Sequence, residues 1–228
     1  MAHSDPGTVE PSAKQQLVLT AERLFAQHGL DGVALRQIAV TAGSANKSAV
    51  QYHFGSKDAL VRAILVGRLD QLTQRRRLLA ARAPADDLRC VIEAHQLPLI
   101  ELAEDENCFY LPFLEQLLRC GPASPLESLP AAHSQTHQDY VDRVGALIGH
   151  IPQPLRDHRI HQVSAMCVHA CSDRHRARVF GADTLPYAVH VSTLLDGCAA
   201  ILQAPVSEET RGTLEGLAPQ RPTLRALP

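Results

Sequence analysis

Between Ser44 and Lys57 the chain reads SANKSAVQYHFGSK. Asn46, Lys47, Ser48, Gln51, Tyr52 and His53 carry hydrogen-bonding groups, while only Ala49, Val50 and Phe54 have an obvious claim on a core. A short helix ordinarily survives by packing an apolar face, so one this polar calls for another partner. Base edges are such a partner. A lysine at 47 can donate to guanine O6 and N7, and the amides of Asn46 and Gln51 can pair with adenine. Ser48 is short enough to let the backbone come close, and Tyr52 and His53 can reach phosphate oxygens. Lys57 fits the same chemistry. A cation in the first turn of a helix opposes the macrodipole, yet beside a DNA backbone that lysine and the free N–H groups behind Ser56 would both meet phosphate.

Positioning those groups requires a scaffold on either side. Leu17, Ala21, Leu24 and Phe25 share one face of a helix that begins after Ser12 and stops at Gly29. Leu35, Ile38, Ala39 and Ala42 repeat that spacing in a shorter helix ended by Gly43, and a third helix starts near Ala45. Three short helices over 13–52, the last two joined by Ala42-Gly43-Ser44, fit a helix-turn-helix. Gly43 tolerates the positive φ of a tight turn. In that geometry the third helix faces the major groove of duplex DNA, and Arg36 on the second adds a cation beside it. From Lys14 to Asp58 five basic residues stand against three acidic ones, a local balance of +2 in a chain of net charge −2. The plainer alternative is the start of a helical bundle with a solvated polar face.

The whole chain of 228 residues is 45% hydrophobic and 20% charged, an ordinary soluble composition, with 4% aromatic content and no Trp. Leu and Ala dominate and β-branched runs are few, which predicts an all-α fold of about nine helices. Ser56 reads as the N-cap of a long helix through Arg82. Further helices are expected over about 86–103, 107–119, 130–150, 152–180 and 185–203, with Pro98 inside the first of them. The expected organisation is a polar tail over 1–12, a helix-turn-helix domain over 13–58, a larger helical domain over 59–204 and a loose tail over 205–228. No apolar run approaches the roughly 18 residues of a membrane span, and residues 1–14 lack the apolar stretch of a secretory signal, which points to the cytoplasm. The six cysteines are scattered, with no C-x-x-C, and read as reduced thiols.

Over AERLFAQHGLDGVALRQIAVTAGSANKSAVQYHFGSKDAL, Ala21 to Leu60, the sequence resembles the tetracycline-repressor (TetR) family of bacterial transcriptional regulators. The element Tyr52-His53-Phe54-Gly55-Ser56-Lys57 is the most specific part. The resemblance implies base contacts from Lys47 and Ser48, phosphate contacts from Gln51, Tyr52, His53 and Lys57, and a body from about residue 60 that binds an effector and dimerises. It implies a regulator, with repression the expected mode, acting as a homodimer on a double-stranded palindromic operator and released by a small molecule. Two departures stand out. Ala34 sits where the family usually has a Thr or Ser N-cap, and Gln51 replaces the usual aromatic, so it would read a base instead.

The last helix is apolar over a wide arc, which suits packing both on its own body and on a second copy. Val191, Leu194, Leu195, Cys198 and Leu202 are the candidate dimer residues, against the alternative of a helix buried in one chain. His95, Phe109, Tyr110 and Phe113 are candidate lining for an apolar ligand cavity, against ordinary core packing. The stretch MCVHACSDRHRAR tempts a metal reading through Cys167, Cys171 and His175, or a thiol-sensing one. On one helix, however, the outer two lie about 12 Å apart along the axis, so a site would need ligands from elsewhere, and no cofactor or metal is expected. Arg75-Arg76-Arg77 reads as a solvated face about 27 Å along its helix from Lys57. An enzyme, for example a metal-dependent hydrolase on the Cys/His helix, is disfavoured. The sequence has no H-E-x-x-H, Gly-rich phosphate loop or G-x-S-x-G elbow.

Overall fold

The chain enters its first helix through a reciprocal cap. Ser12 Oγ accepts from Gln15 N at 3.3 Å, and Gln15 Oε1 accepts from Ser12 N at 2.8 Å, which starts α1 (Ala13–His28). In the computed structural model, which describes residues 11–119 and 131–216, every regular element is helical. α2 (Leu35–Thr41), α3 (Ala49–Phe54) and α4 (Lys57–Ala80) follow, then α5 (Leu88–Glu101) with a 3₁₀ turn at Leu102–Glu104, and α6 (Tyr110–Arg119). α7 (Ala131–Leu147), α8 (Gln153–Val179), α9 (Tyr187–Gln203) and α10 (Glu208–Gly216) complete the described chain. The parts of the expected tails at 1–10 and 217–228, and the breaker near 121–125, lie outside the described residues.

Two differences from the sequence reading have local causes. α10 occupies part of the expected loose tail. Ser207 Oγ accepts from Thr210 N at 3.2 Å, and Glu208 and Glu209 fill the first turn, where the macrodipole favours acids. The helix buries nothing, so its apolar periodicity gave no signal. α3 begins at Ala49 instead of near Ala45, because Asn46 Oδ1 accepts from Ser48 N at 2.9 Å and Ser44 Oγ donates to Asn46 O at 3.1 Å. Those side-chain bonds hold 44–48 in a turn that competes with helix.

One continuous apolar core runs from Leu17 on α1 to Leu202 on α9, with Tyr110, Phe25 and Phe113 among its largest fully buried side chains. α1 packs on α6, α4 and α2, α5 packs on α4 and α9, and α8 packs on α6 and α9. The seam between α6 and α8 is also polar. Glu115 accepts from Arg176 Nη1 at 2.5 Å and Ser172 Oγ at 2.7 Å, and His169 Nδ1 lies 2.8 Å from its other oxygen. Nearby, Arg174, only 6% exposed, donates to Glu104 at 2.6 Å and to the Leu185 carbonyl at 2.6 Å. Arg159 Nη1 donates to the carbonyls of Leu202 and Ala204 at 3.3 and 2.6 Å, a cation at the negative end of α9.

On α9, Leu194, Leu195, Cys198 and Leu202 are buried within this one chain, packed in the core that α9 shares with α5 and α8. Val191 is half-buried. The wide apolar arc is explained by two neighbours in the same chain. Around the turn from α8 to α9, Val179, Phe180, Leu185 and Val189 point outward, with Phe180 82% exposed.

The Glu115 cluster gives a pH-dependent stability. Burial alone would push its carboxyl up, but hydrogen bonds from Arg176, Ser172 and His169 outweigh it and hold the pKa down at about 2, against 4.5 ordinarily. A folded-state pKa below the unfolded one contributes stability above about pH 4.5 that is lost as pH falls toward 2. In urea unfolding, Glu115→Gln is expected to be less stable than the parent near neutrality, with the gap narrowing as pH is lowered through that window. A gap independent of pH would contradict it.

Candidate nucleic-acid interface

The reading head is built from three short helices and two glycine turns. Ala34 stands at the N-cap of α2 in an extended conformation with no side-chain cap bond, so α2 lacks a contribution of about 0.5–2 kcal/mol that Ser or Asp would supply. α2 is held instead by Ile38 and Ala39, both fully buried. Gly43 turns the chain at φ 72°, and Gly55 ends α3 at φ 74°, backbone angles that other residues adopt at a cost. α3 keeps its hold through Ala49 and Val50, 5% and 1% exposed, and Phe54 packs against the same core.

The rest of this segment faces solvent. Asn46, Lys47, Ser48, Gln51, Tyr52 and His53 are all exposed, Tyr52 at 80%, and Arg36 is exposed on α2. Two of these side chains are already engaged. Asn46 caps the turn before α3, and Gln51 Nε2 donates to the Gly55 carbonyl at 2.6 Å, which satisfies an end-of-helix acceptor. The rings of Tyr52 and His53 meet edge to face at 5.1 Å. Lys47 and Arg36 remain as outward cations.

Lys57 departs from the sequence reading. Its ammonium turns inward, donating to the Leu30 carbonyl at 2.5 Å and lying 5.8 Å from the centre of the Phe25 ring. The carbonyl just past the end of α1 and the buried aromatic face together hold the cation more strongly than open solvent would. No spacing rule marks this, since the partner lies 27 residues away. Lys57 thereby ties the start of α4 to the end of α1 and fixes α3 between them.

The other candidates separate. His95 borders a cavity, stacked on Tyr140 at 3.9 Å. Tyr110 and Phe113, 1% and 0% exposed, sit in the core, and Phe113 packs on Phe25 at 6.3 Å. Phe109 meets His175 edge to face at 5.2 Å. These three aromatics therefore do not line the cavity beside His95. Cys167 faces Cys198 of α9, with 3.4 Å between sulfurs, instead of sharing a site with His175. Burial holds the Cys171 thiol up at about 12. Among the described residues no three His, Cys, Asp or Glu side chains stand where one metal ion could bind them, and no single helix is long and apolar enough to cross a membrane.

The contrast between the two lysines can be measured. Lys57→Met should lower unfolding free energy by about 1–2 kcal/mol, the loss of a charge-assisted hydrogen bond and a cation–π contact. Lys47→Met should stay within about 0.5 kcal/mol of the parent. Equal effects would remove Lys57 from the α1–α4 tie.

Comparison with known proteins agrees with this geometry. Residues 17–64 match the model of the bacterial regulatory proteins of the tetR family. Among curated proteins no match is found. The fold is similar to that of a transcriptional regulator from Rhodococcus sp. Rha1, at 19% identity and a TM-score of 0.53 over 86% of this chain and 100% of that one. It is also similar to the TetR-family transcriptional regulator PfmR from Thermus thermophilus, at 20% identity and a TM-score of 0.51 over 84% of this chain and 99% of that one. At such identities the structural likeness speaks for the fold, and the family rests on residues 17–64. Over residues 17–64 the chain is therefore similar to the helix-turn-helix domain of the tetR family of bacterial regulatory proteins.

Proposed function

We propose that this protein is a cytoplasmic DNA-binding transcriptional regulator, a repressor that binds a palindromic operator as a homodimer and leaves it when a small molecule binds the body. The reading divides the chain into a DNA-binding unit over 13–58 and an effector and dimerisation unit over 59–204. What carries it is the composition of the outward side of α3 and the turn before it: Lys47 and Ser48 exposed in the turn, Tyr52 and His53 exposed on a six-residue helix whose burial rests on Ala49, Val50 and a part of Phe54.

In this reading Lys47 and Ser48 approach base edges in the major groove, and Tyr52, His53 and Arg36 meet phosphates. Asn46 and Gln51 act first as caps, shaping the helix that carries the others. Lys57 acts through position, by holding α3 against α1. One helix-turn-helix contacts few base pairs, so two copies about 34–36 Å apart are needed. The exposed apolar residues Val179, Phe180, Leu185 and Val189 cluster where α8 ends and α9 begins, and they are the surface on which a second copy would pack. An effector bound in the body would act by favouring a spacing of the two heads that the operator does not match.

Selection of bound duplexes from a random pool tests the reading directly. A palindromic consensus should emerge, with affinity falling steeply as salt rises. Lys47→Ala should weaken binding and relax preference at one position in each half-site, by about 1–3 kcal/mol for a lost base contact. Recovery of no preferred duplex would end the proposal. For the interface, Phe180→Arg should yield monomers by sedimentation and lose the palindrome, whereas a variant that still dimerises would take this surface out of the assembly.

A further inference from the structure

The run Arg75-Arg76-Arg77 does not form one solvated face. Arg75 pairs outward with Glu101 at 3.0 Å, and Arg77 is exposed. Arg76 turns inward, where its Nε donates to the His95 carbonyl at 2.8 Å. Among the described residues no carboxylate stands within ion-pair distance of it. Arg76 is half-buried, a cation partly removed from water is ordinarily matched by an anion, and loss of solvent lowers the pKa of this guanidinium to about 10, which leaves it charged near neutrality.

Arg76 lines a cavity of about 390 Å³ between α4, α5 and α7. His95 and Tyr140 form one wall, with rings parallel to within 7°. Burial first, then the charges of Arg76 and His137, hold the His95 imidazole neutral. Ala80, Val91 and Ala94 supply an apolar wall. The buried hydroxyl of Tyr140 faces the Gln96 side chain, away from the cavity, so Tyr140 lines it through its ring. The mouth carries Asp139 and Asp142, each accepting from a glutamine one turn earlier, at 2.7 and 2.8 Å. With Arg77 and Arg143 also at the lining, three arginines oppose two aspartates, a balance suited to one negative charge.

We propose that this cavity binds a small monocarboxylate with an apolar body, its carboxylate against the Arg76 guanidinium, its body against Val91, Ala94 and the stacked His95 and Tyr140 rings. The volume suits a ligand of that size, and guanidinium–carboxylate pairing supplies the specificity. The proposal rests on the reading of 59–204 as the effector-binding unit, and deepens it by naming the chemical class of the effector.

Titration calorimetry of the full-length protein without DNA, using benzoate, phenylacetate and butanoate with benzamide as the neutral control, tests it. At least one carboxylate should bind saturably, and benzamide should bind about 10- to 100-fold more weakly than benzoate if benzoate is that ligand. Arg76→Gln should lose the carboxylate by a similar factor. If Arg76→Gln fails to fold, the benzamide comparison decides. The proposal is overturned if none of the three anions binds, if benzoate and benzamide bind alike, or if binding survives in a folded Arg76→Gln protein. Carboxylate binding that leaves duplex binding unchanged would keep the site and remove its effector role, while selective duplex binding with no carboxylate binding would keep the DNA-binding reading and remove the site.

Discussion

The contact between Lys57 and the end of α1 governs how the reading head sits on the body. Phe25 is fully buried, with the Phe113 ring of α6 on one side and the Lys57 ammonium near its face, and the same ammonium holds the Leu30 carbonyl. Three elements thus meet at one aromatic side chain. α3 is short and buries little of its own, so its orientation is set by what flanks it: α2 across the Gly43 turn and α4 after Gly55. Since α4 starts at Lys57, any movement of α4 relative to α1 must either carry α3 along or break a charge-assisted bond. Because α1 also packs on α6, the head is joined to the body through two routes. Such doubling favours collective displacement over independent wobble.

Much of this is legible in the residues. Ser12, Ser56, Gly29 and Gly43 punctuate the first helices as capping and turn chemistry predict, and Ala49, Val50 and Phe54 are the side chains that α3 turns inward. The long helices follow from apolar periodicity and proline breaks. What escapes belongs to long-range placement. Lys57 and Arg76 each bond a backbone carbonyl on a distant segment, 27 and 19 residues away, and a carbonyl leaves no mark in the sequence. α10 escapes for the opposite reason, since a helix that buries nothing has no stripe to betray it. The wide arc of α9 is plain in the sequence but its neighbours are not, because periodicity counts apolar faces without saying what covers them.

The polar seams show a division of labour between kinds of buried charge. Arg174 and Arg176 are answered by Glu104 and Glu115, and the α6–α8 region is closed by these pairs. Glu22, 3% exposed, has Arg68 at 3.7 Å, a looser pairing, and burial raises its carboxyl above the usual range. Arg76 alone of these has no acid beside it among the described residues. Ion pairs inside a protein often do little for net stability and more for uniqueness of arrangement. The answered pairs here fix how α6 lies on α8, while the unanswered one stands at a cavity.

The two glycines around α3 bear on how this molecule can be altered. A β-carbon placed at Gly43 or Gly55 would meet no atom within 4 Å, so glycine is required there by the sign of φ and not by crowding. An L-residue would therefore cost the backbone strain of a positive φ, which glycine adopts freely. The insert between these corners is mechanically modular: with Ala49, Val50 and Phe54 kept beneath and the caps Asn46 and Gln51 kept at its ends, its other outward letters can be rewritten as a cassette.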